Sequence, residues 1–268
     1  KRAIAAKNNL LIDLEYYTPK SDTTNRKLLA WYYFQSHKSG NFSFKGKKYY
    51  IGLSNTNGGI YNKESSFIVS EDSLGFVKKS AEMQTGDIDD PVKLGDDLFT
   101  VSGSSKLGEH VRLKPFDKNS QGVRKYQIAK EIDAMTLDST KFYLSKLRGK
   151  YVILDFWGSW CKGCIQDMPA IKSLNQFIKK RDDILFIGIA NDNLERLKAY
   201  IQKENIDWTQ IFQDNQQNEI ISTYQIEGYP TTILINPEGR IIYRENHIDG
   251  AIKVLETSLN EKIVVNPL

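Results

Sequence analysis

Val152-Ile-Leu-Asp-Phe-Trp-Gly-Ser-Trp160-Cys161-Lys162-Gly163-Cys164 is the stretch on which the fold turns. It begins as an apolar run with β-branched residues, the mark of a buried strand, and breaks at Gly158-Ser159. Beyond the break, Ile165, Met168, Ile171, Leu174 and Ile178 recur at helical spacing and define one apolar helix face. The two cysteines therefore stand at a strand-to-helix junction, the first of them at the helix N-terminus. Unpaired backbone N–H groups and the helix dipole favour an anion there, and the anion on offer is a thiolate. Such a junction suits thiol–disulfide exchange.

The surrounding composition sets bounds. The 268 residues suffice for one large domain or two ordinary ones, each with its own core. Apolar residues make up 40% and charged residues 26%, as in ordinary globular proteins. The formal net charge is only +4 and no basic face is concentrated, so neither nucleic acid nor anionic membrane is indicated as a partner. No run of about 18 apolar residues occurs, so no transmembrane helix is expected. The sequence starts at Lys1 and not at a methionine, which suggests a processed or trimmed product; the absence of a targeting segment here proves nothing. Both of the 2 cysteines lie in the one motif, which excludes a disulfide-stapled scaffold and is compatible with an oxidising compartment.

The first half reads as mostly β. Lys27–Gln35 is rich in aromatics (Trp31, Tyr32, Tyr33, Phe34), which are read as core and strand surface, and Ser39-Gly40-Asn41 is expected to be a turn. Asn41–Gly46, Lys48–Leu53, Ser66–Val69, Leu98–Val101 and His110–Leu113 are candidate strands, the last two flanking Ser102–Ser105 as a hairpin or near neighbours. Strands at this spacing suggest a small sandwich or barrel. Ser54–Glu64 has the glycine-punctuated, oxygen-rich look of a calcium loop, but Glu64 is its one carboxylate, so a turn-rich connection is the preferred reading. Polar, turn-rich Lys114–Gly122 marks a change of pattern, and the division is drawn between residues 1–125 and 126–268.

The second half alternates strands with helices. Lys141–Leu144, Val152–Trp157, Ile184–Ala190, Thr231–Ile235 and Arg240–Tyr243 are read as strands. Helices are expected after Cys161, around Leu194–Ile201, over Ile220–Tyr224 and through Ile252, Leu255 and Leu259. Asn236-Pro-Glu-Gly239 is a hairpin turn with proline and glycine where such turns want them. This is the pattern of an α/β layer structure with helices on both faces of a sheet.

A Cys-x-x-Cys pair alone admits a zinc half-site, a local staple or a redox couple. Zinc requires about four ligands; no second cysteine pair exists, and His37, His110 and His247 are scattered. A loop this short constrains little of the unfolded chain, which weakens the staple. Strand before and helix after favour the redox reading, with Cys161 as attacking thiolate and Cys164 as resolving thiol. Lys162 places a positive charge beside the thiolate and would lower its pKa, unless it is only a solubilising surface side chain. No cofactor or metal is called for.

Trp160-Cys-Lys-Gly-Cys164 after Leu154-Asp-Phe-Trp157 resembles the thioredoxin superfamily. Met135–Lys150 upstream and Tyr224-Gln-Ile-Glu-Gly-Tyr-Pro-Thr-Thr-Ile-Leu-Ile-Asn-Pro-Glu-Gly239 downstream are similar to the membrane-associated and periplasmic TlpA/ResA-like reductases. The resemblance covers roughly residues 130 to 262, an ordinary domain length. It implies an α/β thioredoxin-like fold, with a central mixed sheet and helices on both faces, preceded by a β-rich N-terminal domain it does not describe. It also implies roles. Asp155 matches the buried acid that exchanges a proton with the resolving cysteine, and a carboxylate on a buried strand needs such a reason. Asp167 stands where the ResA-like subgroup carries a glutamate, one methylene longer; otherwise it is a helix carboxylate facing solvent. Pro230 matches the cis-proline, Tyr229 would offer its backbone to an extended substrate, and Trp160 would lie over the sulfurs as an apolar lid, with Trp157 as packing. Pro169 inside the helix has a counterpart in the superfamily.

The expected function is thiol–disulfide oxidoreduction, in the reducing direction by resemblance, with protein disulfides as substrates and an upstream thiol as electron donor. The alternatives are a partner-docking scaffold and a disulfide oxidase or isomerase. A thiol peroxidase is disfavoured because no Pro-x-x-x-Thr-x-x-Cys precedes the helix. By resemblance the location is the periplasm or cell envelope of a bacterium, any membrane anchor being a segment absent from this chain.

Overall fold

The computed structural model describes residues 4–6, 9–13, 15–16, 36–55, 66–71, 84–87, 90–104, 110–214 and 219–264. It divides into two compact units, Lys1–Asp117 and Lys118–Leu268. In the first unit the described strands form two antiparallel five-stranded sheets. One runs in the order β1 (Ile4–Ala6), β2 (Asn9–Asp13), β10 (His110–Pro115), β9 (Asp97–Ser104), β8 (Pro91–Leu94). The other runs β3 (Glu15–Tyr16), β4 (Ser36–Phe44), β5 (Lys47–Asn55), β6 (Ser66–Ser70), β7 (Gln84–Asp87).

Period-two patterning explains why these pair. Tyr49, Ile51 and Leu53 of β5 and Val92, Leu94, Val111 and Leu113 of the opposite sheet alternate inward and are buried in one shared core. The N-terminal unit is thus β-rich, with two sheets closing on a single core. Ser39-Gly40-Asn41 is not a turn. It lies inside β4, paired with Ile51 to Gly52 and Tyr50 of β5, because a nine-residue ladder satisfies its backbone better than local turn chemistry does. The aromatic stretch at 27–35 and the calcium-like loop beyond Asn55 lie outside the described residues.

The second unit carries short pairs β11 (Gln121–Gly122) with β12 (Ile128–Ala129) and β13 (Asp133–Met135) with β14 (Lys141–Tyr143). Its main sheet comprises β15 (Tyr151–Trp157), β16 (Ile184–Asn191), β17 (Thr209–Gln213), β18 (Thr231–Ile235) and β19 (Ile241–Glu245). The order is β17-β16-β15-β18-β19, with β15 parallel to β16 and antiparallel to β18. The helices are α1 (Lys162–Ile178), α2 (Leu194–Glu204), α3 (Glu219–Thr223) and α4 (Ile248–Leu259). The unit boundary falls at Asp117/Lys118, ahead of residue 125, because Tyr126 N donates to Ile241 O at 2.7 Å and Gln121-Gly122 pairs with Ile128-Ala129.

β15 is the central strand, and its alternation divides the core. Ile153 packs on α1 through Ile171, Leu174 and Ile178 and on α4 through Ile252 and Leu255. Leu154 and Phe156 face the other way, toward Ile220, Ile221 and Tyr224. Burial of Leu174 is complete, so its truncation to alanine would cost about 2–5 kcal/mol. Helices therefore cover both faces, and the face bearing α1 receives Asp155 and Trp157, which alternate in step with Ile153.

Candidate active site

The apolar β15 ends at Trp157, and Gly158–Trp160 turn the chain into α1. Cys161 is the N-cap of α1, in extended conformation, and its Sγ accepts the N–H of Cys164 at 3.1 Å. Sulfur thus takes the place that an oxygen usually occupies at a helix start. Cys161 and Cys164 are joined as a disulfide, with Cα atoms 5.3 Å apart. Both are buried, 6% and 2% exposed, in a cluster with Trp157, Met168 and Ala190. Lys162 is exposed on the first turn, and α1 runs unbroken through Pro169.

Asp155 sits two residues before Trp157 on the same face of β15 and is 3% exposed. Thr232 Oγ1, across the antiparallel pairing with β18, donates to its Oδ1 at 3.1 Å. Burial pushes its pKa up to about 7; the Thr232 hydrogen bond opposes this, and the charge of Asp167 adds to it. A carboxyl with that value both holds and releases a proton near neutrality.

One wall of the site is aromatic. The Tyr229–Pro230 bond is cis. Trp160, 51% exposed, meets the Tyr229 ring edge-on at 5.4 Å and donates from Nε1 to Asn191 O at 2.9 Å. Asn191 Nδ2 in turn donates to the Tyr229 hydroxyl at 2.8 Å. Below this wall, Asp192 accepts from Ser159 N at 2.6 Å and from Arg196 Nε at 2.7 Å. Burial pushes the Asp192 carboxyl up, but these donors outweigh it and hold it below its ordinary range. Trp157 Nε1 donates to Gln210 Oε1 at 3.0 Å, which gives this buried indole its partner.

The opposite wall is built by residues far apart in the chain. A side chain at Gly163 would have its Cβ 3.1 Å from Pro230 Cδ and 3.6 Å from His247 Cε1, so the glycine lets both approach the turn between the cysteines. Asp167, one α-helical turn beyond Cys164, is only 13% exposed. Its oxygens lie 3.0 and 3.1 Å from His247 Nδ1, and Oδ2 accepts the N–H of Ile248 at 3.2 Å. Asp167 therefore caps α4, whose N-cap residue His247 makes no side-chain cap of its own.

A model of the AhpC/TSA family matches residues 126–244, wholly inside the second unit. The thiol-disulfide oxidoreductase ResA of Bacillus thuringiensis (strain Al Hakam) is 30% identical over 121 residues, spanning 44% of this chain and 69% of that protein. The chain belongs to the ResA-like thiol-disulfide oxidoreductases. The thioredoxin-like protein YneN of Bacillus subtilis is similar as well, 26% identical over 128 residues, 47% of this chain and 74% of that one. Among solved structures, the thioredoxin domain of a thiol-disulfide oxidoreductase from Bacteroides vulgatus is 29% identical with a TM-score of 0.44, over 52% of this chain and 96% of that one.

In this ResA-like enzyme, then, Trp160, Cys161 and Cys164 follow one another along the turn, Asp155 is buried on the face of β15 that α1 covers, Pro230 approaches Gly163 and Tyr229 packs on Trp160. Asp167 is not the solvent-facing carboxylate that a helix position could have made it. His247, one of three histidines scattered in the sequence, is brought by the fold against Asp167 and the turn between the cysteines, which local sequence pattern does not report. Its single sequence signal is its place between the last strand and the last helix, where a chain returns to the sheet edge near the cysteines.

Proposed function

We propose that the enzyme reduces protein disulfides. Cys161 attacks the client disulfide, and Cys164 resolves the mixed disulfide. Asp155 takes the proton of Cys164 as that thiol becomes a nucleophile. Tyr229 and Pro230 form a ledge on which an extended client chain pairs, Trp160 shields the sulfurs, and Lys162 modulates the Cys161 thiolate.

The observation that carries the direction is the burial of Asp155, with a pKa of about 7. An oxidising couple stabilises its reduced thiolate, and a negative charge nearby does the reverse. Lys162 pulls the other way from an exposed position. Charge acts more strongly from a buried carboxylate than from an exposed ammonium, so in its ionised form Asp155 disfavours the thiolate and makes the dithiol the better reductant. An upstream thiol would recharge the dithiol, and the cell envelope of a bacterium, where disulfides persist, is the compartment in which such work is needed.

Equilibration of the Cys161/Cys164 pair with glutathione tests the direction. We expect a potential well below the roughly −120 to −180 mV of oxidising catalysts; a value within that range reverses the direction. Cys164→Ser should accumulate mixed disulfides through Cys161. A protein that traps none is a docking scaffold.

A further inference from the structure

His247 holds a backbone conformation of φ 67° and ψ 147°, a region that glycine enters freely and other residues enter at a cost of order 1–3 kcal/mol. The conformation is held from several sides. Asp167 accepts from the next N–H, at Ile248, and the Tyr243 hydroxyl donates to His247 O at 3.2 Å. A glycine would fit this backbone without the cost, so the imidazole is present for something other than the turn.

The ring itself is aimed. Nδ1 faces both oxygens of Asp167, an acceptor-only carboxylate, so Nδ1 carries the proton and Nε2 is left as the exchangeable nitrogen. Among the described residues Nε2 has no hydrogen-bond partner, the side chain is 53% exposed, and Cε1 lies 3.6 Å from the Cβ position of Gly163, inside the Cys-x-x-Cys turn. A histidine oriented by a carboxylate, with its second nitrogen unpartnered and its ring against Gly163 between the two cysteines, has the parts of a general acid–base.

We propose that His247, oriented by Asp167, carries the proton of the exchange: Nε2 takes the Cys161 proton as the thiolate forms and returns it to the first thiolate released from the client. The proposal rests on the disulfide reduction argued above. Cys161 Sγ bonds to one client sulfur while the client S–S bond breaks, and its electron pair leaves on the other sulfur, which takes the proton from Nε2. Cys164 then bonds to Cys161 Sγ and displaces the second client sulfur, which takes the proton that Cys164 lost. Two electrons pass from dithiol to client, and no further reactant is required. Asp167 on α1 faces the imidazole and the Tyr243 hydroxyl on β19 bonds the His247 carbonyl; Asp155 of β15 interacts with Asp167, and Glu245 on β19 and Asp249 on α4 interact with Tyr243.

His247→Gly separates function from fold, because it relieves the backbone while removing the ring. In the full chain we expect an unchanged or higher melting temperature. Reduction of a disulfide-bearing peptide between about pH 6 and 8 should slow by roughly ten- to a hundredfold, a gap that narrows as pH rises and hydroxide replaces the imidazole as base. Added imidazole should restore part of the rate, and His247→Gln should be as slow as the glycine variant. A glycine variant with the wild-type rate and pH profile overturns the proposal, as does one whose stability falls along with its rate. Should the wild-type protein reduce no disulfide, the functional reading fails. Alkylation of Cys161 across pH then still tests His247: an upward displacement of the profile in the glycine variant upholds its hold on that proton, and an unmoved profile sinks it.

Discussion

Asp155 ties the site to the stability of the fold. In the unfolded chain it ionises near 3.8, whereas burial keeps it protonated in the native state up to about 7. The native state therefore holds the extra proton between those values. The stability this contributes is fully present below about pH 3.8 and is lost as pH rises to about 7. The span corresponds to a few kcal/mol, on the order of 4 at most. Asp155→Asn keeps an oxygen for Thr232 and cannot titrate. Thermal melts of the oxidised proteins should show the asparagine variant gaining on wild type by a few kcal/mol from pH 4 to pH 8, and a constant difference would refute the assignment. Asp155 was legible in sequence because a carboxylate inside an apolar strand is conspicuous. His247 was not, since its meaning comes from a positive φ and from a partner 80 residues away, neither of which local pattern reports.

At the scale of elements, the strand-to-helix junction depends on close approach. A Cβ on Gly158 would sit 2.8 Å from Asn191 O, a backbone atom, and 2.6 Å from Trp160 Nε1, the two partners of the bond that holds the indole in place. Gly158→Ala should push Trp160 off Asn191 at a cost of about 1–3 kcal/mol. The checks are a lowered melting temperature and a change in Trp160 fluorescence; a variant that melts and fluoresces like wild type would show that the loop simply yields. The elements that bear this junction were readable because their periodicities are strong. β17 went unread, since Thr209-Gln-Ile-Phe-Gln213 is short and polar at its edges and becomes a strand through its register with β16. Ser39-Gly40-Asn41 failed for the opposite reason: turn-forming residues were carried into a long ladder by their partners on β5.

For the whole molecule, the chain order of strands and helices identified the second unit, while the pairing of β2 with β10, close to a hundred residues on, could not be read from local pattern. Each unit nevertheless keeps its own core. The cluster around Ile51, Val92 and Leu113 draws its residues from 42–113, and the clusters around β15 draw theirs from 123–263. A chain of about 150 residues is long enough to bury a sufficient core unaided. The ion pairs around α1, such as Lys172 with Glu204 at 3.1 Å and Arg181 with Asp183 at 2.8 Å, also close within the second unit. Residues 118–268 alone should therefore unfold in one cooperative transition and reduce a small model disulfide at a rate within about threefold of the full chain. Those two measurements decide between autonomy and dependence: a broad, non-cooperative melt would mean that the second core requires the first unit, and a cooperative melt with a lost rate would place part of the redox site's support in residues 1–117.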